Sequence, residues 1–533
     1  MPRSATQPAA PVLLLAVSAA LLLVVAESAA SPPPACAKYV TAKAGDTCTS
    51  VWLIANKKWS KADFAALNPG VACPKLKKGA RICIAVALPA PAVFVSAGFT
   101  HTCAVLEDPA TRTRGLKCFG DNRYGQLGLG DTVGRGDQPG ELGDMLKVVD
   151  LGPGYNISNV EAGVYFTCAL LSGPGGRIVK CWGNLNGNWD LGGSLYGQMG
   201  AALKPVPLGA GLEPSAIGVG DLQACAVLQP GGLVKCWGSN PAGQLGQGDT
   251  RPRWPSVPTD MGINLRPVWL GQVGSGLLPG PQVPLAATAV TGGAHHTCAL
   301  LQPGGIVKCW GANNFGQLGQ GDTWNRGDRP DQMGNSLEPV ALGTGLSAVA
   351  VSAGWYHTCA LLQPGGLVKC WGVNSGGELG QGDTENRGDQ PGEMGDALKP
   401  VDLGPGLTAV ALSAGSGYSC ALLQPGGVVK CWGDWHNGRL GLGEQVNHGD
   451  GPRQMGAGLK PVELGRGLNV SALSGGLNHA CVVLQPGGLV KCWGYNNWGQ
   501  LGQGDLVDRG DDAGEMGDAL KPVGLGRLIA AAT

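Results

Sequence analysis

The chain has 533 residues, among them 92 glycines, 38 prolines and 18 cysteines, and its 38 basic residues balance 38 acidic ones. An apolar fraction of 43% argues against disorder and for a packed, turn-rich β protein. The neutral total hides an asymmetry, since residues 36–85 hold nine Lys or Arg against two acidic residues, while residues 86–533 carry 28 basic and 35 acidic groups, a net of −7. A basic patch on the small segment could favour an anionic wall polymer, or be a solvated lysine-rich face.

Residues 1–30 combine Arg3, an apolar run from Val12 to Ala26, and small residues Ser28 and Ala30 at the positions expected before a cut. That pattern predicts a secretory signal peptide, too short and too early for a membrane span. The expectation is a secreted protein, extracellular or in a cell wall, soluble and with no membrane span after signal cleavage. Two sequons, Asn156-Ile157-Ser158 and Asn469-Val470-Ser471, predict glycosylation at Asn156 and Asn469 on exposed loops.

Residues 36–85 read as β-α-α-β. Tyr39 to Thr41 alternates like a strand and turns at Gly45-Asp46-Thr47, where Asp46 or Thr47 caps a helix with Val51, Ile54 and Ala55 on its apolar side. Ser60 caps a second helix with Phe64 and Leu67 inward, ending at Asn68-Pro69-Gly70, and Gly79 to Ile84 alternates again. Cys36, Cys48, Cys73 and Cys83 predict two disulfides in a domain too small for a generous core, with three connectivities open.

Through Tyr39-Val40, Gly45-Asp46-Thr47, Ile54-Ala55, Asn68-Pro69, Leu76, Gly79 and Ile82-Cys83-Ile84, this segment resembles the lysin motif family. The resemblance implies binding to a glycan built from N-acetylglucosamine, such as chitin oligomers or peptidoglycan. It places the groove at Gly45, Asp46 and Thr47, facing Asn68, Pro69, Gly70 and Val71, where two turns offer backbone donors and acceptors to acetamido groups.

Residues 86–92, with Leu88-Pro89-Ala90-Pro91, form a short Pro/Ala linker. Residues 93–533 hold seven imperfect repeats of roughly 61 residues, each with one cysteine pair: Cys103 with Cys118, Cys168 with Cys181, Cys225 with Cys236, Cys298 with Cys309, Cys359 with Cys370, Cys420 with Cys431 and Cys481 with Cys492. Two apolar runs flank a Pro-Gly pair, as in residues 298–309, which signals a hairpin with Leu301 opposite Ile306 and Cys298 opposite Cys309 at its far end. Facing cysteines there predict a cross-strand disulfide, and their spacing is too wide for a zinc finger. Each repeat reads as four short strands, the last at Lys399 to Leu403 in the fifth copy. The fold class predicted is mainly β, a seven-bladed propeller behind a small βααβ domain.

Ala97-Gly98 with His101-Thr102, Ala353 to Thr358, the recurrent Cys-Trp-Gly, and Asn-x-x-Gly-Gln-Leu-Gly at 122–128, 313–319 and 496–502 resemble the regulator of chromosome condensation repeat family. The resemblance implies a propeller and says little of function. Nuclear nucleotide exchange, that family's familiar role, conflicts with a signal peptide and a neutral surface, and no nucleic-acid partner is expected. A plant ultraviolet-B receptor branch uses clustered tryptophans, but only Trp355 stands at that place here, with Phe99, Ala294, Ser416 or Leu477 in other repeats. The tryptophans at 182, 237, 310, 371, 432 and 493 read instead as blade packing. A secreted bacterial propeller that inhibits a β-lactamase sets protein binding as the leading role.

Several motifs have bland readings. Arg-Gly-Asp at 135, 326, 387 and 509 recurs at one repeat position and reads as a turn with a local Arg–Asp pair. Asp131, Asp137, Glu141 and Asp144 match no calcium-loop spacing. His101, His296, His357 and His479 read as satisfied core histidines, and Gly-x-Gly-Asp is not followed by a helix, so no phosphate loop is implied. No nucleophile, base and orienting acid recur as a set, and no metal or cofactor is expected. The second repeat lacks Gly-Gln-Leu-Gly around Asn184 to Gly197. The third carries a proline-rich insertion, Arg251 to Pro284, whose Trp254 and Trp269 are candidates for a functional face, and Val523 to Ala532 could close the ring. The reading is a secreted, non-enzymatic glycan binder whose propeller is a scaffold for an unknown protein partner. The alternative is a carbohydrate-active or wall-modifying enzyme with an unrecognised propeller site.

Overall fold

The computed structural model describes residues 38–41, 81–85, 90–109, 111–185, 191–273 and 283–528. The chain divides into two units between Leu88 and Pro89. In the first, Lys38–Thr41 pairs antiparallel with Arg81–Ala85, setting Tyr39 opposite Cys83 and Val40 opposite Ile82. The expected helices, Cys36, Cys48, Cys73 and the glycan residues Gly45, Asp46, Thr47, Asn68, Pro69, Gly70 and Val71 lie outside the described residues, as does the signal segment 1–30.

The second unit contains seven three-stranded antiparallel sheets. Blade 1 is Ala92–Ala97, His101–Glu107 and Arg114–Gly120; blade 2 is Asn156–Ala162, Phe166–Gly173 and Gly176–Gly183; blade 3 is Glu213–Val219, Gln223–Gln229 and Leu233–Gly238. Blade 4 is Ala286–Gly292, His296–Gln302 and Ile306–Gly311; blade 5 is Ser347–Ala353, His357–Gln363 and Leu367–Gly372. Blade 6 is Thr408–Ala414, Tyr418–Gln424 and Val428–Gly433, and blade 7 is Asn469–Gly475, His479–Gln485 and Leu489–Gly494. The ends of all seven first strands line one axial cavity, so these strands are innermost. Their small residues, such as Ser352, Ala353 and Gly354, suit the crowded centre of a radial array.

The hairpin register is the one the Pro-Gly turn implies. Leu301 faces Ile306, and Cys298 faces Cys309. In every blade the two cysteines are direct cross-strand partners joined by a disulfide with a Cα–Cα distance of 4.1 Å: Cys103–Cys118, Cys168–Cys181, Cys225–Cys236, Cys298–Cys309, Cys359–Cys370, Cys420–Cys431 and Cys481–Cys492. One correction concerns their place in the hairpin. The ladder continues past the cysteines through Thr297–Trp310 to His296–Gly311, so the disulfide lies within the hairpin and not at its far end. The reason is that the Cys-Trp-Gly run stays extended and its tryptophan packs on the preceding blade, as Trp371 does on blade 4 and Trp432 on blade 5. All fourteen cysteines are buried, and Cys118, Cys236, Cys431 and Cys492 have no exposed surface at all. They are internal staples of the blade and not accessible members of a site.

At the turn, Gly305 has φ +61° and a Cβ there would lie 2.5 Å from the Ala348 carbonyl of the next blade. Glycine is therefore required twice over, by conformation and by space. Gly305 O accepts the Ala348 N–H at 2.9 Å, and the same bond from Ala92 to Gly488 joins the first blade to the last.

A fourth strand does not form. In blade 5 the segment 399–403 runs beside the third strand with a single ladder bond, Val401 N–H to Val368 O at 2.7 Å. Pro400 has no N–H to offer, which stops the ladder from extending. Val401 and Leu403 are nonetheless buried, and the far side of the segment is held by a lysine. Lys430 Nζ, from the Val-Lys-Cys-Trp run of the next blade, donates to Leu403 O at 3.0 Å and Gly456 O at 2.8 Å. Equivalent clamps are made by Lys117, Lys180, Lys235, Lys308, Lys369 and Lys491. Burial pushes each of these ammonium groups below the usual lysine range.

The apolar core lies between blades. Cys359, Leu361, Val368 and Cys370 of blade 5 pack against Ala421, Leu423 and Trp432 of blade 6, and this layer recurs around the ring. The tryptophans at 182, 237, 310, 371, 432 and 493 are fully buried, as the packing reading requires. Lys117 closes the ring by donating to Leu525 O at 2.7 Å, while Val523 N–H bonds Val490 O within blade 7 and Arg527 pairs with Asp144. Residues 523–528 thus belong to blade 7 and contact the blade 1 repeat through these side chains and through a backbone bond, Gly143 N–H to Gly524 O at 2.6 Å.

Candidate functional face and axial cavity

Each inner strand ends, each middle strand starts and each third strand ends on one rim, so the motifs between them share a face. The repeat motifs are devices for stitching blades together there. In blade 5 the Gln317 carbonyl from the Gly-Gln-Leu-Gly run of blade 4 accepts Thr358 Oγ1–H at 2.9 Å and Trp371 Nε1–H at 3.1 Å. Because the Thr358 hydroxyl donates there, it accepts from His296 Nε2 at 3.0 Å, which fixes Nε2 as the protonated nitrogen. His101, His357 and His479 repeat this with Thr167, Ser419 and Thr102. Burial lowers these imidazoles to about 4 for His101 and His357 and about 3 for His296 and His479, so all four are neutral core groups. Blade 2 lacks the glutamine, and the buried Trp237 Nε1 has no hydrogen-bond partner among the described residues.

The Arg-Gly-Asp loops are also structural. Arg387 bridges by its backbone to Gly372 and by its guanidinium to Asp383 at 2.7 Å. The local pair uses the aspartate four residues earlier, not that of the tripeptide. Asp131, Asp322 and Asp505 pair likewise with Arg135, Arg326 and Arg509. The second carboxylate oxygen accepts the N–H two residues on, as Asp322 Oδ1 does from Trp324 at 2.9 Å, an Asx turn that holds the loop tip outward. Glu141 instead caps Gly136 and Gln138 backbone N–H groups and Asp144 holds Arg527, so these carboxylates serve separate bonds. Among the described residues no group of three metal-ligating side chains occurs.

The tips form a rim of exposed apolar side chains. Val133, Trp324, Val446 and Val507 occupy one loop position and are 59%, 74%, 51% and 56% exposed. Nearer the axis lie half-buried aromatics. Phe99 and Trp355 approach with ring centroids 6.5 Å apart, Phe99 meets Tyr165 at 6.4 Å, and Arg123 stacks 3.8 Å over Trp498.

The axial cavity has a volume of about 160 Å³. From six blades its wall includes the inner-strand residue opposite the first cysteine: Ser96, Glu161, Thr291, Ser352, Ser413 and Ser474. In blade 3 that position is Gly218, which has no side chain to offer. Hydroxyls at this level accept N–H groups from a neighbouring blade, Ser96 from Ala162 at 2.9 Å and Ser352 from Ala414 at 3.0 Å. Glu161 is half-buried and lines the cavity. Burial raises its carboxyl to about 7, against one hydrogen bond from Asn159 Nδ2 at 3.0 Å. Asp221, also on the wall, is raised by burial as well.

The insertion in blade 3 is shorter than the composition suggests. Arg253 bridges Gly238 and Val268 bonds Val234, so residues 251–270 occupy the ordinary loop and outer segment. The extra chain follows Leu270, with Gln272–Val273 paired to Val283–Pro284. Trp254 is buried in the layer between blades 2 and 3, while Trp269 is half-exposed beside Gly334. Trp254 is therefore core rather than part of a face. Asn156 and Asn469 are exposed, each at the first position of an inner strand rather than on a loop.

Comparisons with known proteins bear on both units. Residues 40–85 match the LysM domain, and residues 305–361 match the regulator of chromosome condensation (RCC1) repeat, with a second RCC1 description at 287–317 and 348–378. The Arabidopsis thaliana ultraviolet-B receptor UVR8 is 31% identical over 294 residues, 55% of this chain and 56% of that one. The human E3 ubiquitin-protein ligase HERC2 is 30% identical over 282 residues, 52% of this chain and 5% of the ligase. This chain therefore spans little more than half of the receptor and a small part of the ligase. Among solved structures, Prp20p from Saccharomyces cerevisiae aligns at TM-score 0.50 and 20% identity over 72% of this chain and 80% of its own. Human WBSCR16 aligns at 0.51 and 16% over 78% and 92%. At such identities the likeness is one of fold. The chain carries a LysM domain at residues 40–85 and RCC1 repeats built into a seven-bladed propeller whose every blade is closed by a disulfide.

Proposed function

We propose that this is a secreted, non-enzymatic binding protein, held on an N-acetylglucosamine polymer by its LysM domain and presenting the propeller rim to a protein partner. A LysM domain suggests glycan binding, and RCC1 repeats suggest a protein-interaction propeller. Seven cysteine pairs suit an oxidising compartment, and the signal-like segment 1–30 suits the route there.

The observation that carries the propeller half is the rim of Val133, Trp324, Val446 and Val507. Apolar side chains repeated at one exposed loop position of a rigid frame suit docking by a partner that spans several blades. Asx turns and arginine bridges hold the Val133, Trp324 and Val507 tips and a His448–Glu444 pair braces the Val446 loop, so little ordering entropy is lost on docking. The groove on the LysM side is carried over from the family, at Gly45, Asp46 and Thr47 facing Asn68, Pro69, Gly70 and Val71.

The test uses the full mature chain. Retention on insoluble chitin or peptidoglycan, displaced by soluble N-acetylglucosamine oligomers, supports the tether. A protein cross-linked to the wild type in secreted material and lost from a Trp324→Asp, Val507→Asp double variant supports the rim. Equal capture by wild type and variant argues against the rim.

A further inference from the structure

Glu161 breaks the symmetry of the axis. At the same level blades 1, 5, 6 and 7 have serine and blade 4 threonine, short side chains whose oxygens accept an N–H from a neighbouring blade. Glutamate places a carboxyl in their midst. Its Oε1 accepts from Asn159, and Oε2 has no hydrogen-bond partner among the described residues. A half-buried carboxylate with no cation beside it is costly, and such groups in a cavity are candidates for holding a ligand.

The surrounding wall is complementary to a positive charge. Asp221 is the other titratable group lining the cavity, and no lysine, arginine or histidine does so among the described residues. Serine oxygens that accept one backbone N–H keep a second lone pair. Phe99 and Trp355, with ring centroids 6.5 Å apart, also line the cavity and offer aromatic rings to a cation. A metal ion fits poorly, because hard cations want six or more oxygens and several carboxylates, and the wall has two carboxyl groups beside aromatic carbon.

We propose that the axial cavity binds a small organic ammonium ion, with Glu161 as its counter-ion, the axial hydroxyls accepting its remaining N–H groups and Phe99 and Trp355 covering it. The ion binds the carboxylate form, so binding strengthens as pH rises. This site is independent of the LysM groove and of the rim.

Calorimetric titration of the full chain with ethylammonium chloride tests it, with ethanol as neutral isostere and sodium chloride at equal ionic strength. With Glu161 near 7, its ionised fraction at about pH 8 exceeds that at about pH 5.5 roughly thirtyfold, and ethylammonium affinity should change by a similar factor. Glu161→Gln should lose at least about tenfold in affinity at the higher pH, the scale of one buried charge-assisted bond. Glu161→Ser restores the residue of the other blades, so its fold is secure and it should lose binding equally. Wild-type binding that persists in Glu161→Ser, is matched by ethanol or sodium, or is absent at both pH values would overturn the proposal.

Discussion

Four buried histidines make this propeller sensitive to acid. Folded, their rings take a proton only near pH 4 or 3, whereas the unfolded imidazole takes one near 6.5. Their folded values are depressed, so the stability they permit is fully present above about pH 6.5 and is lost as pH falls toward 4. Glu161 has the opposite sign: its raised value makes the fold lose stability as pH climbs from about 4.5 through 7, and Asp221, Glu378, Asp508 and Asp511, also raised by burial, act in the same direction at lower pH, against four fully buried histidines displaced from 6.5 to about 4 or 3. The melting temperature should therefore fall steadily between about pH 6.5 and 4, and His357→Phe, which installs the residue that blade 2 carries at Phe166, should flatten the slope. A melting temperature constant across that window would show that the rings are protonated without cost. Buried lysines give a second expectation at this scale. Lys369→Met leaves Leu342 O and Gly395 O without their donor and should cost about 2–4 kcal/mol, measured by denaturant unfolding. The histidine positions were legible as core from their repeat register. The lysines were not, because a charged residue in a Val-Lys-Cys-Trp alternation looks like the wet face of a strand, and only the neighbouring blade's carbonyls make burial tolerable.

Among elements, the hairpin register was legible and the fourth strand was not. Pro-Gly between two apolar runs sets the register by local chemistry, and Cys420 then faces Cys431, or Cys481 faces Cys492, without reference to the rest of the chain. How far the ladder runs beyond the cysteines is decided by the preceding blade, which takes up the tryptophan, so the hairpin's end was out of reach of local reasoning. The outer segment has the same apolar alternation, at Val401 and Leu403, but it is shaped by tertiary bonds from the next blade and by a proline that cannot join a ladder. The blade 3 insertion looks as if it starts too early for a related reason: Arg251 to Leu270 is unusual in composition yet keeps the loop's bridge and outer bond. The last segment provides a test. Removing residues 523–533 deletes the Lys117 acceptor at Leu525, the Asp144 pair with Arg527 and the Val523 bond to Val490. The melting temperature should drop by about 2 °C or more, since several contacts vanish from a large cooperative unit. An unchanged value would mean that inner-strand contacts alone close the ring.

At the scale of the whole propeller, radial repetition leaves only short, protected sheet edges and distributes stability over seven similar interfaces. Such a frame tolerates local irregularity. Blade 2 has lost its glutamine and Trp237 Nε1 finds no partner among the described residues, yet the blade 2–3 layer keeps a continuous apolar core from Phe166 to Met261. Function then rests on what the chain displays: the apolar rim, the axial carboxyl, and the LysM domain. The rim could not be read from sequence, because Trp324 and Val507 look like core residues until the Asx turns are seen to point the tips outward. The LysM groove is legible through family resemblance alone. Its binding is the central claim and the most direct to measure. Calorimetric titration of the full mature chain with chitin oligomers and soluble peptidoglycan fragments, beside Asp46→Ala and Asn68→Ala, should show saturable binding to one class that each variant weakens by about tenfold, the scale of one or two lost hydrogen bonds. No binding to either class, or binding that both variants leave untouched, would contradict a glycan-tethered protein.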